Sequence, residues 1–511
     1  MKYEGVFYPT AKALLVLAVV WISFRTINFY TTIALVNDSA IFANIAFHMF
    51  KGKVLYKAAY DHKLPPIFFL NLLALKLAGP SVNSIYAMER IFAIAMAITF
   101  FSILLKFFRG SFPVALIFTL VFLRHFYTPL LFSSGNYTEE YGSAFLLIGI
   151  LALLYCIDSG GYKQIALLAA SGFFMSLAAL TKEPFVFLVI PWVIYLFLKL
   201  DLVFKVKMRL GIIFMLALLL PALIIIVYFM REGLFQYLLE VISNNLAYSH
   251  YNSYEKTGIE SALSGSVRSM NKNILFIITT DVFFVVGATG AFSKRFNREY
   301  SHIPMLLLIW FIMGTVSVNL ASTQFSHYYL QLIAPFTAVA AAGAVFLADA
   351  LKRYFNFTAR LSFFAVIAAF TLSLFIFDSA MTYQFYERIT KPYEKRQEDV
   401  CSYYIKNNTT STDYIWVPSY NKYTYIESGR LSPTSYIYVL NHLFINTFKS
   451  KGTEKAENLL KELRENPPKF IVSGDIQYLN EQVPAAVTRW IFDNYTLKIT
   501  LHRCLILQKN Y

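Results

Sequence analysis

The sequence predicts an α-helical polytopic membrane protein that ends in a small α/β domain outside the membrane. Hydrophobic residues make up 57% of the 511 residues, and the mean hydropathy is +0.52. The apolar residues lie in long runs, as bilayer-spanning helices require. Lysine and arginine gather in short loops between these runs, which is typical of loops on the cytosolic side. The last part of the chain is richer in charge and contains no run of spanning length.

Charge and cysteine content exclude two other classes of protein. The net charge is +15, but the loop clusters account for it as orientation signals, which argues against nucleic-acid binding. The three cysteines are Cys156, Cys401 and Cys504. Their spacing fits neither a metal site nor a dense disulfide framework. Cys401 and Cys504 can pair if the C-terminal region faces an oxidising compartment.

The apolar runs and the basic loops between them alternate consistently and predict about eleven spans. The run at residues 11–29 is expected to be a retained first helix that leaves the cytosol near Tyr30. Further spans are expected at residues 88–108, 113–131, 211–229 and 361–378, among others. Residues 67–79 are apolar but short of the ~20 residues that a span needs, so we predict an interfacial or re-entrant helix there.

Composition changes near residue 381 and divides the chain into two predicted domains. Residues 1–380 form a transmembrane domain, and residues 381–511 form a soluble α/β domain outside the membrane. An amphipathic pattern at residues 453–464 predicts a helix. The β-rich residues 469–473 predict a strand.

The first predicted outer loop, residues 37–66, is the most charged stretch of an otherwise apolar region. Asn37, Asp38 and Ser39 can cap a helix that runs to about Lys51 and stops at Gly52. Apolar side chains fall on one face of this helix, while Asn44 and His48 share the other. The pattern is typical of a helix that lies on a membrane surface.

Residues that the topology places together on the outer side carry both signs of charge; they are Asp38, Asp61, Glu139, Glu140, Lys63, Lys182, His250 and His327. Converging acids and bases at a membrane surface indicate chemistry on a lipid-borne anion. Simpler interpretations also exist, since the glutamates can favour a helix N-terminus and the lysines can reach toward lipid headgroups. A divalent metal among His62, His250, Asp61 and Glu139 is left open, although no i, i+4 ligand pair supports it.

Several passages carry a resemblance to a known family; they are residues 37–39 with Gly52 and Tyr56, residues 61–66 (DHKLPP), residues 136–140 (NYTEE), residues 326–332 (SHYYLQL) with Pro335, and, in the tail, residues 404–408 and 428–430. The chain resembles integral membrane glycosyltransferases of the GT-C fold. Within that fold it is similar to the branch that uses polyprenyl-phosphate sugars, which includes dolichyl-phosphate-mannose protein mannosyltransferases and aminoarabinose transferases.

The resemblance implies roles for individual residues. Asp38 falls on the catalytic base, and Glu139 falls on a second acidic position of the outer face, so we expect Glu139 to be a catalytic residue that orients the acceptor or the base. Lys63 matches a lysine-proline pair that meets the carrier phosphate, although Leu64 separates it here from Pro65. Many relatives have Asp-Glu where this chain has Asp38-Ser39, so a second adjacent carboxylate is missing.

The expected function is that of an inverting glycosyltransferase that moves a sugar from a polyprenyl-phosphate donor to a hydroxyl on a glycan, lipid or protein. We expect Lys63 and His327, with Lys182 or Arg268, to hold the donor phosphate. The residues expected to contact substrate are His48, Tyr60, Asp61, Glu140, His250, Tyr328 and Gln331. The sequence names neither the sugar nor the acceptor. The expected location is the plasma membrane of a prokaryote, with the N-terminus in the cytoplasm.

Two other functions fit parts of the same pattern. A lipid transporter or flippase also has many spans, but it predicts ionisable residues near the bilayer midplane, whereas the polar groups here collect at one face. A non-catalytic scaffold for glycan assembly would use the C-terminal domain to bind a partner and would leave Asp38 with a structural role. Activity measurements separate both from a transferase.

Overall fold

The computed structural model describes most of the chain. The described residues are 4–27, 38–109, 111–132, 135–199, 203–254, 282–319, 325–354, 383–384, 386–387, 390, 399–419, 423–439, 449–501 and 504–510. The predicted eleventh helix at residues 361–378 lies outside them, as does the predicted cap residue Asn37.

Helices dominate the first part of the chain. They are α1 (Glu4–Arg25), α2 (Asp38–Phe50), α3 (Pro66–Ala78), α4 (Val82–Phe107), α5 (Phe112–Phe126), α6 (Pro129–Phe132), α7 (Thr138–Ile157), α8 (Gly161–Thr181), α9 (Phe185–Lys199), α10 (Phe204–Arg231), α11 (Phe235–Tyr254), α12 (Lys294–Glu299), α13 (Ile303–Asn319), a 3₁₀ turn (Ser326–Tyr329) and α14 (Leu330–Tyr354).

Helices and strands alternate in the C-terminal part. They are α15 (Val400–Asn408), β1 (Ile415–Trp416), α16 (Thr424–Ser428), α17 (Lys449–Glu465), β2 (Phe470–Ser473), α18 (Ile476–Gln482), α19 (Ala485–Asn494), β3 (Tyr495–Leu501) and β4 (Cys504–Lys509). The predicted helix at 453–464 and the predicted strand at 469–473 are both confirmed, as α17 and β2.

The helices of the first part form the bundle of an integral membrane protein. Five described stretches are long and apolar enough to cross a bilayer, namely α4, α7, α8, α10 and the segment from the 3₁₀ turn through α14. Shorter apolar helices are α3, α5, α9 and α13. Helix α10 exposes leucine and isoleucine along its length, for example Leu219 and Ile224. Such a surface suits contact with lipid, which covers apolar side chains at no cost.

Two predicted spans differ from the observed helices. The predicted span at 113–131 breaks after Phe126, and α6 starts at Pro129. Proline lacks an amide hydrogen and disfavours helical geometry in the residue before it, which explains the break. Lys205, Lys207 and Arg209 precede the predicted span at 211–229, where the basic residues between apolar runs were expected in a loop; instead they form the first turns of α10. Most of their side chains are exposed, so the helix extends past its apolar part without burying charge.

The C-terminal part is built on a four-stranded sheet with strand order β1-β2-β4-β3. Strands β1 and β2 are parallel, while β4 pairs antiparallel with both β2 and β3. A disulfide between Cys401 and Cys504 joins α15 to β4 across a sequence separation of 103 residues. The sheet and its helices therefore form the small α/β domain that the sequence predicts.

Helix α2 is the element on which the two parts of the chain meet. It starts at Asp38 and stops before Gly52, whose φ of 87° only glycine adopts without strain. The prediction that it lies on a membrane surface is wrong, because Ser39 through His48 are all buried. Its polar face contacts the C-terminal domain instead of solvent. Asn44 Oδ1 accepts the amide hydrogen of Ile426 at 3.2 Å, and the Ser39 and Tyr423 hydroxyls are 2.7 Å apart.

Candidate functional site

A buried ion pair is the centre of the candidate site. Lys182 Nζ lies 2.9 Å from Glu139 Oε1, and both side chains are at most 9% exposed. Glu139 stands in the first turn of α7, where the helix dipole favours a negative charge. Lys182 directly follows α8, which ends there because Pro184 disfavours helical geometry at the preceding residue. Two helix ends thus bring opposite charges together out of water.

Aromatic rings hold the histidine and the lysine of the site in place. His327, in the 3₁₀ turn, stacks on Tyr137 with ring centroids 4.4 Å apart and on Phe325 at 5.6 Å. Lys182 Nζ lies 4.1 Å from the centroid of the Tyr328 ring, a cation–π contact. The ring plane of His327 is therefore fixed, and its polar edge is left to meet the charges around it.

The first outer loop adds two carboxyl groups and a lysine to this pair. Asp61 is 2% exposed, and its Oδ1 accepts the amide hydrogen of Lys63 at 2.8 Å. Asp38 begins α2 and is partly exposed. The charges of Lys63 and His327 act on Glu139, and the charge of Asp38 acts on both Asp61 and His327. These groups form one electrostatic cluster, called the charged cluster below; its members are Asp38, Asp61, Lys63, Glu139, Lys182 and His327.

The ionisation of Asp61 reflects its surroundings. Burial raises the pKa of Asp61 to about 6, and the nearby carboxylate of Asp38 adds to this rise. The hydrogen bond from Lys63 and the charge of Lys63 oppose it. A carboxyl group with a pKa near neutrality can accept and return a proton at physiological pH.

A network of amides around Asn136 positions the start of α2 beside Glu139. Asn136 Nδ2 donates to Asn71 Oδ1 at 2.9 Å and to the Ser39 carbonyl at 3.1 Å. Asn136 Oδ1 accepts from Asn71 Nδ2 at 3.0 Å and from the Tyr141 hydroxyl at 2.9 Å. The Asn136 amide donates to Glu89. The Asn136 side chain is therefore hydrogen-bonded to α2, α3 and α7. Its partner in α2, Ser39, directly follows Asp38.

Glu140, next to Glu139 in the chain, joins this inner network rather than the charged cluster. Its Oε1 accepts the Tyr127 hydroxyl at 3.3 Å, and its carboxyl group is also within reach of Glu89. The roles of Glu89, Asn71 and Asn136 in this network were not predicted from the sequence. One signal was available: the pair Glu89-Arg90 interrupts an apolar run, and ionisable residues inside a span are rare.

Several residues predicted to contact substrate are occupied by protein groups. His48 Nε2 accepts the amide hydrogen of Ser432 at 2.9 Å, and its Nδ1 donates to the Asn44 carbonyl at 2.7 Å. Burial lowers the pKa of His48 to about 4, so the ring is neutral and bridges α2 to the C-terminal domain. Gln331 Oε1 accepts the Ser317 hydroxyl at 2.9 Å.

Tyr60 and the remaining predicted residues lie elsewhere. The Tyr60 hydroxyl accepts from Asn244 Nδ2 at 2.6 Å, on the side of the outer loop that faces α11. Arg268 lies outside the described residues, and the side chain of His250 does too. In the part of the chain that the structure describes, no three His, Cys, Asp or Glu side chains form a group suited to a metal ion.

The arrangement combines the two requirements of transfer from a phosphate ester. Lys63 offers a positive charge and His327 a ring nitrogen beside a buried pair, which suits an anionic leaving group. Asp38 and Asp61 offer carboxyl groups that can take a proton in the same cluster. An apolar bundle surrounds the cluster, and an α/β domain packs on the loop that carries it. These features define a polytopic membrane protein whose helical bundle encloses a charged cluster.

Two crystal structures of ArnT from Cupriavidus metallidurans share this fold along nearly the whole chain. The structure bound to undecaprenyl phosphate matches with a TM-score of 0.62 and 12% sequence identity, over 98% of this chain and 97% of that chain. The structure in the apo state matches with a TM-score of 0.61 and 12% identity, over 99% and 98% of the two chains. The likeness at this identity establishes the fold. No protein-family model and no curated protein sequence matches the chain.

Proposed function

We propose that this protein is an inverting glycosyltransferase that moves a sugar from a polyprenyl-phosphate donor to a hydroxyl acceptor. The observation that carries the proposal is the cluster in which Asp38 and Asp61 lie within electrostatic reach of Lys63, His327 and the Glu139–Lys182 pair. The shared fold adds support, because one of the ArnT structures holds undecaprenyl phosphate. A lipid phosphate is an anion at the membrane surface, and the cluster offers cations for it.

Lys63 and His327 are the proposed contacts of the donor phosphate. Lys63 Nζ has no ion-pair partner among the described residues, whereas Glu139 neutralises Lys182. Lys182 is therefore assigned a structural role: its ion pair with Glu139 stabilises the wall of the site. Tyr328 covers Lys182 from the side. Arg268 stays a candidate for the same phosphate.

Asp38 is the proposed general base. The acceptor oxygen forms a bond to the anomeric carbon while the bond from that carbon to the phosphate oxygen breaks. The acceptor proton passes to Asp38, and polyprenyl phosphate leaves with the electron pair. A single in-line displacement inverts the anomeric carbon. Phosphate is a good leaving group, so proton removal and charge stabilisation are the main tasks left to the protein.

The proposed orientation places the cluster and the C-terminal domain outside the plasma membrane of a prokaryote, with the N-terminus in the cytoplasm. The disulfide between Cys401 and Cys504 supports an oxidising compartment for residues 381–511. The transmembrane domain would then be residues 1–380. Labelling of single cysteines placed in α17 of intact cells tests the orientation, and protection from an impermeant reagent would reverse it.

Release of polyprenyl phosphate from a panel of polyprenyl-phosphate sugars tests the activity. The purified protein is compared with Asp38→Asn, using a crude envelope extract as acceptor. We expect release by the wild type and a loss of at least about 100-fold in the variant, since a positioned base contributes about 10²–10⁴-fold. Normal turnover by Asp38→Asn would reject Asp38 as base. Lipid binding without release from any donor would instead favour a flippase or a scaffold.

A further inference from the structure

A large polar cavity lies between the two parts of the chain, outside the charged cluster. Its volume is about 820 Å³, within the usual range of ligand clefts of about 300–1,000 Å³. Four segments form its walls: the first outer loop at Tyr56–Tyr60, helix α11, and, from the C-terminal domain, residues 435–436 and helix α17. Of its lining residues, Tyr60 alone was expected to contact substrate, and neither the expected nor the proposed function says which ligand the cavity takes.

The cavity borders the candidate site through one short segment. Tyr60 lines the cavity, and the next residue, Asp61, belongs to the charged cluster. The Tyr60 ring lies 5.8 Å from the ring of Tyr436, and Asn244 holds the Tyr60 hydroxyl at 2.6 Å. A molecule in the cavity would therefore contact the segment that carries Asp61 of the charged cluster.

The charge of the cavity argues against an anionic ligand. Four glutamates line it but only three lysines, in a protein whose net charge is +15. Two of the lysines are already paired. Lys455 Nζ lies 2.8 Å from Glu240 Oε1, and Lys461 Nζ lies 3.9 Å from Glu465 Oε1. A phosphate or carboxylate entering here would meet more negative charge than positive.

The other lining groups suit a ligand rich in hydroxyl groups. Gln236 and Asn458 are exposed amides that can both donate and accept hydrogen bonds. The exposed carboxylate of Glu465 accepts from hydroxyl groups, and Tyr237 presents part of an aromatic ring. Amides, carboxylates and aromatic rings together match a saccharide, which carries many hydroxyl groups around an apolar ring face.

We propose that this cavity is the acceptor subsite and that it takes the uncharged saccharide end of a glycan. The inference rests on the proposed transferase function and adds the acceptor class to it. The C-terminal domain then selects the acceptor through α17, while the first outer loop carries both the acceptor wall and the charged cluster.

The test uses the full-length protein in detergent or nanodiscs. The probes are a mixture of linear and branched hexose and N-acetylhexosamine oligosaccharides, and the same mixture carrying phosphate. The variant is the double substitution Gln236→Leu and Asn458→Leu. Asn466→Leu is the matched control, because Asn466 is exposed just after α17 but does not line the cavity. All three positions are exposed, so thermal unfolding should stay near that of the wild type.

We expect the neutral oligosaccharides to bind the wild type and the control at least ten times more tightly than the double variant. The phosphorylated mixture should bind more weakly than the neutral one. With a donor that the protein cleaves, the variant should raise the acceptor KM at least tenfold and leave release of polyprenyl phosphate to water unchanged. No binding of the neutral mixture, or tighter binding of the phosphorylated one, would overturn the acceptor subsite.

The two proposals fail in different ways. Release from no donor by the wild type would reject the transferase function, whatever the saccharides do. Normal release combined with an unchanged acceptor KM in the double variant would reject the acceptor subsite alone.

Discussion

Glu139 and Glu140 are neighbours in one helical turn, yet they lie in opposite surroundings. Glu139 pairs with Lys182 at 2.9 Å and belongs to the charged cluster. Glu140 faces Tyr127 and Glu89 in the inner network. Successive side chains of a helix project about 100° apart, so these two adjacent carboxylates face different neighbours. Glu139 lies in the charged cluster, and Glu140 connects helices in the inner network.

Replacing each glutamate in turn by glutamine should show the difference between their surroundings most clearly. Glu139→Gln leaves the buried charge of Lys182 uncompensated, so we expect a loss of about 3–5 kcal/mol in stability. Glu140→Gln keeps an acceptor for Tyr127 and keeps a hydrogen bond toward Glu89, so we expect a loss of about 1 kcal/mol. Thermal or denaturant unfolding of both variants in one detergent measures the difference.

Combining Glu139→Gln with Lys182→Met checks the cause. If the buried pair dominates, the double variant is more stable than the sum of the single losses predicts, because no unpaired charge remains. Additive losses would show that the two side chains act independently.

Asp61 is a third buried carboxyl group to compare with Glu139 and Glu140, and burial is the main influence on its ionisation. Its folded pKa of about 6 is above the unfolded value of about 3.9. The folded state therefore binds the proton more tightly, and this contribution is present at pH below about 4 and is lost as the pH rises through 6. Relative to Asp61→Asn, the wild type should lose about 2 kcal/mol of stability between pH 4 and pH 7.

Unfolding of the wild type and Asp61→Asn across that pH range provides the measurement. A stability difference between the two that does not change with pH would show that the folded pKa of Asp61 is not raised. Asp413, exposed enough to be solvated and paired with Lys469 at 3.1 Å, serves as a control carboxylate. Asp413→Asn should not reproduce the trend. Burial acts to raise the pKa of Asp413, but hydrogen bonds from Thr410 and Lys469 together outweigh it and lower the pKa.

Substitution of Asn136 in the inner network should destabilise the protein less than breaking the Glu139–Lys182 pair. Asn136→Ala removes the hydrogen bonds to Ser39 and Asn71, and we expect a loss of about 2 kcal/mol, because buried partners are left unpaired. The same change should lower kcat more than it raises the donor KM, since it moves the start of α2 rather than a phosphate contact. Asn408→Ala is the control, because Asn408 is exposed and its Nδ2 donates to the Tyr404 carbonyl of its own helix. A fall in stability with unchanged kcat would limit Asn136 to a structural role.

The sequence located most of the candidate site but not its arrangement. The resemblance and the topology both selected Asp38, Glu139 and Lys63, and the structure places all three in one cluster. His48 looked equally suitable, since it shares a helix with Asp38. Its two ring nitrogens are bound by α2 and by Ser432, which follows it by 384 residues. A contact over such a distance leaves no local pattern in the chain.

The sequence by itself determined the class of protein. Apolar runs and basic loops specify a membrane bundle because lipid and water impose separate requirements on each segment. Only the tertiary structure decided what covers the polar face of α2. Amphipathic spacing shows that a helix has two faces, but water and a second domain satisfy polar groups equally well. It was the fold that put Tyr423 and Ile426 against this face and left the cavity beside Tyr60 open.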